Sequence, residues 1–117
     1  MEGCIFCKII KKDVSADIVY ENDKIIAFSD INALAPVHIL IIPKEHIKSI
    51  NDLKGIKGKE IAGELIMVAQ QLAKNKRIAD DGYKLLFRVN KHGQQEVPHI
   101  HLHLIGGAQL QENIKVE

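Results

Sequence analysis

The sequence has no tryptophan, only two cysteines and three prolines, and its two tyrosines and three phenylalanines make up just 4% of the chain. Two cysteines cannot build a disulfide framework, and a reducing compartment disfavours a bridge between them. An excess of one charge is missing too: 16 Lys and Arg stand against 15 Asp and Glu, a formal net charge of +1. That balance argues against a broad nucleic-acid or membrane surface, so any anion must be bound locally. No apolar run approaches the roughly 20 residues needed to span a bilayer. The start, Met1-Glu2-Gly3-Cys4-Ile5-Phe6-Cys7-Lys8, lacks a basic-then-apolar signal, and a cytoplasmic location is the expectation. Repeats, linkers and low-complexity stretches are absent as well. Residues 1–117 are expected to form one domain, since a chain of 117 residues with 46% hydrophobic content supports a single core with little to spare.

What the chain does have is histidine at alternate positions. His99-Ile100-His101-Leu102-His103 is followed by Leu104-Ile105-Gly106-Gly107 and takes half of the six histidines. On a strand of period two the three imidazoles share one face, roughly 6.6 to 7 Å apart, while Ile100, Leu102 and Leu104 fill the other. Strand propensity would not select histidine three times. The pattern points to chemistry on a small anion.

Around this motif the sequence reads as short strands and one long helix. A short helix is expected over Cys4 to Lys11. Strands are expected at Ile18 to Tyr20, Lys24 to Asp30, His38 to Pro43, Tyr83 to Val89 and His99 to Ile105. Ile61, Leu65, Val68, Ala69 and Leu72 recur at helical spacing within Lys59 to about Lys76, with Lys74, Lys76 and Arg77 suited to its C-terminus. The expected fold class is α+β, a mostly antiparallel sheet with one long helix and a short N-terminal one. Cys4 and Cys7 admit three readings: small buried residues, a redox pair, or half of a zinc site completed by His46 and one strand histidine.

The histidine run, together with Asp30-Ile31, the segment Ala35-Pro36-Val37-His38-Ile39-Leu40-Ile41-Ile42-Pro43-Lys44 and Gly106-Gly107, resembles the histidine triad nucleotide-binding family, and most of all its Hint branch. The resemblance runs from Cys4 to Gly107. It implies hydrolysis of the P–N bond of purine nucleoside 5′-phosphoramidates, with His101 attacking the α-phosphorus to form a nucleotidyl-imidazole that water then hydrolyses. Imidazole chemistry agrees: with an ordinary pKa of about 6.5 the ring is largely neutral and nucleophilic near pH 7, and it can be displaced from phosphorus. In the family the carbonyl of the first triad residue, here His99, orients the nucleophile. His103 would contact the phosphate and His38 would join a proton relay. Asn90 matches the phosphate-side asparagine and Asp30 the ribose-binding aspartate. Phe6, Ile9, Phe28, Ile31 and Leu40 correspond to the apolar base pocket, which, without tryptophan, would accept adenine and guanine alike. The resemblance further implies structural Zn(II) on Cys4, Cys7, His46 and His99, no metal in the chemistry, and a homodimer.

The chain departs from the family in the loop His92-Gly93-Gln94-Gln95-Glu96. Gln94 stands where Hint-like members carry a second glycine, and Glu96 where animal members carry serine; both would still border the phosphate. If its position needs positive φ, Gln94 costs on the order of 1 kcal/mol. Pro98 replaces a common aromatic, at a position where it can start a strand. The tail, Ala108 to Glu117, lacks the Trp-Pro-Pro-Gly ending of animal members. Two alternatives stand beside the phosphoramidase reading: a dinucleoside polyphosphate hydrolase, against which Gly106-Gly107 argues, and a non-catalytic nucleotide-binding interaction module.

Overall fold

The computed structural model describes residues 3–112 and 114–117. Met1, Glu2 and, within the tail, Asn113 lie outside them. Helix α1, Ile5–Ile10, leads into strands β1, Ile18–Glu21, β2, Ile25–Ser29, and β3, Val37–Pro43. A 3₁₀ turn at Ile50–Asp52 precedes the long helix α2, Gly55–Asn75, and strands β4, Tyr83–Phe87, and β5, Leu102–Gly106, complete the order. The strands form one antiparallel sheet in the order β1-β2-β3-β5-β4. The expected α+β class is the one observed.

Both faces of the sheet are covered, which is why its central strands are almost continuously apolar. On one face Ile25, Ala27, Ile39, Ile41, Leu102 and Leu104 pack against Leu65, Val68, Ala69, Leu72 and Ala73 of α2. These are the helical-period positions, and each fully buried Leu or Ile contributes about 1.5–3 kcal/mol. On the other face Ile26, Phe28, Leu40 and Ile42 meet Cys4, Phe6, Cys7 and Ile9 at the α1 end. Leu40 pairs with His103, so the histidine face is the α1 face.

Three boundaries differ from expectation by two residues or more. Helix α2 starts at Gly55, four residues before Lys59. Its N-cap, Lys54, makes no side-chain cap, and Gly55 and Gly58 disguise the first turn. Gly58 is there for space: a Cβ would lie 3.0 Å from the Leu53 carbonyl carbon. Strand β5 starts at Leu102, so His99 and His101 precede it, and Pro98 lies in the loop without starting a strand. Continued backwards, the register would set Ile42 opposite His101 and Pro43 opposite Ile100, but Pro43 has no N–H and its carbonyl accepts from the His99 ring at 2.9 Å. The His99 N–H is turned onto the Val97 carbonyl at 2.8 Å and that of Ile100 onto Ile47 at 2.7 Å. The rings nevertheless stay on one side: Phe6 meets both His99 and His101 edge-on, at centroid distances of 5.9 and 5.1 Å. Strand β4 likewise ends at Phe87, two residues before Val89. Among the described residues, no helix is long and apolar enough to cross a membrane.

Candidate functional site

Five of the six histidines, all but the exposed His92, separate into two connected groups that meet at His99. Cys4 caps α1, its Sγ accepting from the Cys7 N–H at 3.3 Å, and one helical turn sets both thiols on one side. The segment after β3 brings His46, and the approach to β5 brings His99. Cys7 Sγ lies 3.2 Å from His46 Nδ1 and 3.6 Å from His99 Nδ1, Cys4 Sγ 3.6 Å from His99 Nδ1, and the two Nδ1 atoms are 3.2 Å apart.

Hydrogen bonding decides what these atoms can be. The Pro43 carbonyl can only accept, so His99 carries its proton on Nε2 and turns a bare Nδ1 lone pair into the cluster. A tetrahedral ion with bonds of roughly 2.3 Å to sulfur and 2.0–2.1 Å to nitrogen sets S···N edges of about 3.5 Å and an N···N edge of about 3.3 Å. The donor set therefore fits Zn(II). Burial, then the neighbouring Cys4, pushes the Cys7 thiol up. Binding a divalent cation reverses that preference, so metal uptake would release protons.

The second group begins on the same residue. The His99 carbonyl accepts from His101 Nδ1 at 2.8 Å, which leaves His101 Nε2 unprotonated. Burial lowers the His101 pKa, opposed by that bond and by Asp30, so the ring is neutral at pH 7. A further chain of bonds fixes its neighbours. The Leu34 N–H donates to His38 Nδ1 at 3.1 Å, so His38 is protonated on Nε2. That Nε2 lies 3.0 Å from His103 Nδ1 and 3.4 Å from Asp30 Oδ2. With Nδ1 accepting from His38, His103 carries its own proton on Nε2, a buried group with no partner among the described residues. A bare Nε2 on His101 and a free Nε2–H on His103, ring centroids 4.9 Å apart, offer a lone pair and a hydrogen-bond donor to one tetrahedral anion. Asp30, His38 and His103 also have metal-ligand spacing, but both ring nitrogens of His38 are engaged in this chain, which accounts for their approach.

His103 is depressed to about 4 by burial, then by His101, His38 and Arg88, with Asp30 opposing. Between there and the ordinary 6.5 the unfolded chain holds a proton that the native one refuses, so stability rises with pH through this window. The contribution is complete above pH 6.5 and lost on descending to 4; this one group accounts for on the order of 3 kcal/mol. Urea midpoints at pH 7, 5.5 and 4 should fall accordingly in the native chain and less steeply in His103→Gln. Equal slopes would mean that His103 does not carry the effect.

The remaining expected residues fall in several places. Phe6, Ile9, Phe28 and Leu40 are core residues of the α1 face, Phe6 and Phe28 in edge contact at 5.4 Å, whereas Ile31 is 94% exposed beside Asp30. Asp30 Oδ1 accepts from the Asn32 N–H at 2.9 Å. Asn90 is exposed at φ +55°, and its carboxamide makes no hydrogen bond among the described residues. Gln94 does adopt positive φ, +61°, so the strain expected there is present. Glycine is obligatory one residue earlier, where a Cβ on Gly93 would sit 2.5 Å from the Val89 carbonyl oxygen. Glu96 is exposed, and its charge reaches His101.

Sequence reasoning missed Gln95, Leu34 and Arg88. The Gln95 carboxamide staples the loop, accepting from the Asn90 N–H at 3.1 Å and donating to the Lys48 and Val97 carbonyls at 2.7 and 3.0 Å. Leu34 acts through its backbone, which no side-chain pattern reveals. Arg88 follows Leu86 at strand spacing, a signal that was available. A cleft of about 530 Å³ adjoins this loop, bordered by Lys48, Asn90, Gln94 and Glu96. A larger cleft, about 710 Å³, lies by Lys76, Tyr83 and Gly107 and holds none of the six histidines. Volume therefore does not mark the chemistry.

A family model described as HIT domain matches residues 11–110. The chain is 47% identical over 109 residues to a purine nucleoside phosphoramidase of Escherichia coli strain K12, covering 93% of this chain and 91% of that one. It is 45% identical over 111 residues to a 14 kDa zinc-binding protein of Zea mays, covering 91% and 83%. The crystal structure of a HIT family hydrolase from Legionella pneumophila Philadelphia 1 superposes with a TM-score of 0.89 at 45% identity, covering 93% and 96%.

Proposed function

Because the chain belongs to the HIT domain family, we propose that it is a phosphoramidase that hydrolyses the P–N bond of purine nucleoside 5′-phosphoramidates through His101. The bare Nε2 of His101 attacks the α-phosphorus, the P–N bond breaks, and the amine leaves with a proton delivered through the His38–His103 relay, which the attacking water replenishes in the second step. Water then attacks the nucleotidyl-imidazole and the P–N bond to His101 breaks, giving the nucleoside monophosphate. The His103 Nε2–H donates to a phosphoryl oxygen as charge builds there, and His38 backs it as a proton relay. Asp30 accepts from the ribose hydroxyls. Ile31, with the edges of Phe6, Ile9, Phe28 and Leu40, takes the base; Asn90, Gln94 and Glu96 border the phosphate.

The observation that carries this reading is the tautomer chain from Leu34 through His38 and His103, converging with the His99 carbonyl on His101. Zn(II) on Cys4, Cys7, His46 and His99 would be structural, tying α1 to the segments flanking β3 and β5; four protein ligands leave no open position for chemistry. Two free thiols suit a cytoplasmic setting. Exposed Ile66 and Met67 on α2, with Leu85 on the edge strand β4, support a homodimer.

The test is a substrate panel. Adenosine and guanosine 5′-phosphoramidates should be hydrolysed with comparable efficiency, and a dinucleoside polyphosphate far more slowly. Preference for the polyphosphate would move the assignment to the other branch, and saturable nucleotide binding without turnover to an interaction module.

A further inference from the structure

The β4–β5 ladder ends with Phe87 paired to Leu102, next to Leu86 paired to His103. Continued by one residue, the register sets Arg88 opposite His101, on the face that Leu86 shares with His103, because side chains alternate along a strand. Arg88 is only partly exposed there. Its Nη1 reaches the Gln94 Oε1 at 3.5 Å, a neutral acceptor at the limit of bonding. Among the described residues no carboxylate pairs with it; the ion pairs fall on Lys12, His38, Lys44 and Lys57.

A second observation points to the same place. His103 is 7% exposed, and its Nε2, the end that carries the proton, has no partner among the described residues. A half-withdrawn guanidinium without a counter-ion and a buried N–H without an acceptor both call for an anion, and a planar fork of donors matches a phosphoryl group better than a point charge does. The charge of Arg88 also contributes to holding His38, His101 and His103 low, which sets it within electrostatic reach of all three.

We propose that Arg88 is the charged phosphoryl-binding residue of this site, contacting non-bridging oxygens of the nucleotide α-phosphate, and that the preference for nucleotide over nucleoside depends on it. This rests on the proposed nucleotide chemistry at His101. The guanidinium would act while the ligand is bound and again as negative charge accumulates on phosphorus.

Calorimetric titration of adenosine 5′-monophosphate and of adenosine into the native chain, Arg88→Gln and Arg88→Lys tests it, with thermal midpoints showing that each variant is folded. Arg88→Gln should weaken the monophosphate by about 10- to 100-fold, leave adenosine within about twofold, and flatten the salt dependence of binding. Arg88→Lys should fall between. An Arg88→Gln chain that binds the monophosphate as tightly as the native one, or that loses both ligands equally, would overturn the assignment. Failure of the native chain to bind the monophosphate would overturn the nucleotide reading itself, and the role of Arg88 with it.

Discussion

His101→Ala should lower turnover of adenosine 5′-phosphoramidate by about four to six orders of magnitude while changing monophosphate affinity only modestly. In the proposed mechanism the bond to phosphorus is made by His101 Nε2, and none of the neighbouring rings can replace it. His99 has its Nε2–H on Pro43 and its Nδ1 in the cysteine cluster, and His103 presents a proton where a nucleophile needs a lone pair. Truncation also strands the buried His99 carbonyl, which loses its partner at 2.8 Å, at a cost of about 1–3 kcal/mol in stability. His101→Gly supplemented with free imidazole should therefore recover measurable turnover, because the defect is a missing ring rather than a misfolded chain. If His101→Ala retained a tenth of native activity, another group would have to be the nucleophile.

Loss of the proposed zinc site should act on stability far more than on chemistry. Cys4→Ser, or the native chain stripped of zinc under mild denaturant, should lose at least about 10 °C in thermal midpoint, since ion binding to a site absent from the unfolded chain is itself folding free energy. The expected secondary effect on turnover comes through His99. Its ring belongs to the cluster with Cys4, Cys7 and His46 and its carbonyl holds the His101 ring, so loosening the His99 ring degrades the His101 tautomer without removing any atom of the proposed reaction. Turnover per folded molecule should fall by no more than about tenfold, and added divalent ions should restore the midpoint before the rate. Brief chelator treatment of the intact protein should change neither, because Cys4, Cys7 and His99 are buried. A midpoint indifferent to the Cys4→Ser change would remove zinc from the fold's stability. Turnover lost at once to chelator and regained with metal would make the ion a participant in the reaction.

How much of the fold and site was legible in the sequence depended on whether a feature lives in side-chain periodicity or in the backbone. Ile61, Leu65, Val68, Ala69 and Leu72 announced the buried stripe of α2, because helical spacing alone sets which positions face the sheet. The shared side of His99, His101 and His103 was equally readable from their alternation. The start of β5 was not: an imidazole takes the Pro43 carbonyl that a ladder would have used, and alternation carries no trace of that substitution. Cys4 and His99 stand 95 residues apart: ligand chemistry offered the cysteines a strand histidine without saying which, and only the family resemblance singled out His99. The bond from the Leu34 N–H to His38 lies further still from sequence, because any residue but proline supplies that N–H. Arg88 was within reach of the sequence, since it continues β4 past Leu86 on the histidine face.

The central claim is that phosphorus passes through two displacements, first to His101 and then to water. Hydrolysis of a phosphoramidate made chiral at phosphorus with oxygen isotopes and sulfur, followed by configurational analysis of the product, tests this most directly. Two in-line displacements each invert the centre, so net retention is the expected result. Net inversion would show a single attack by water and would leave His101 without its covalent role.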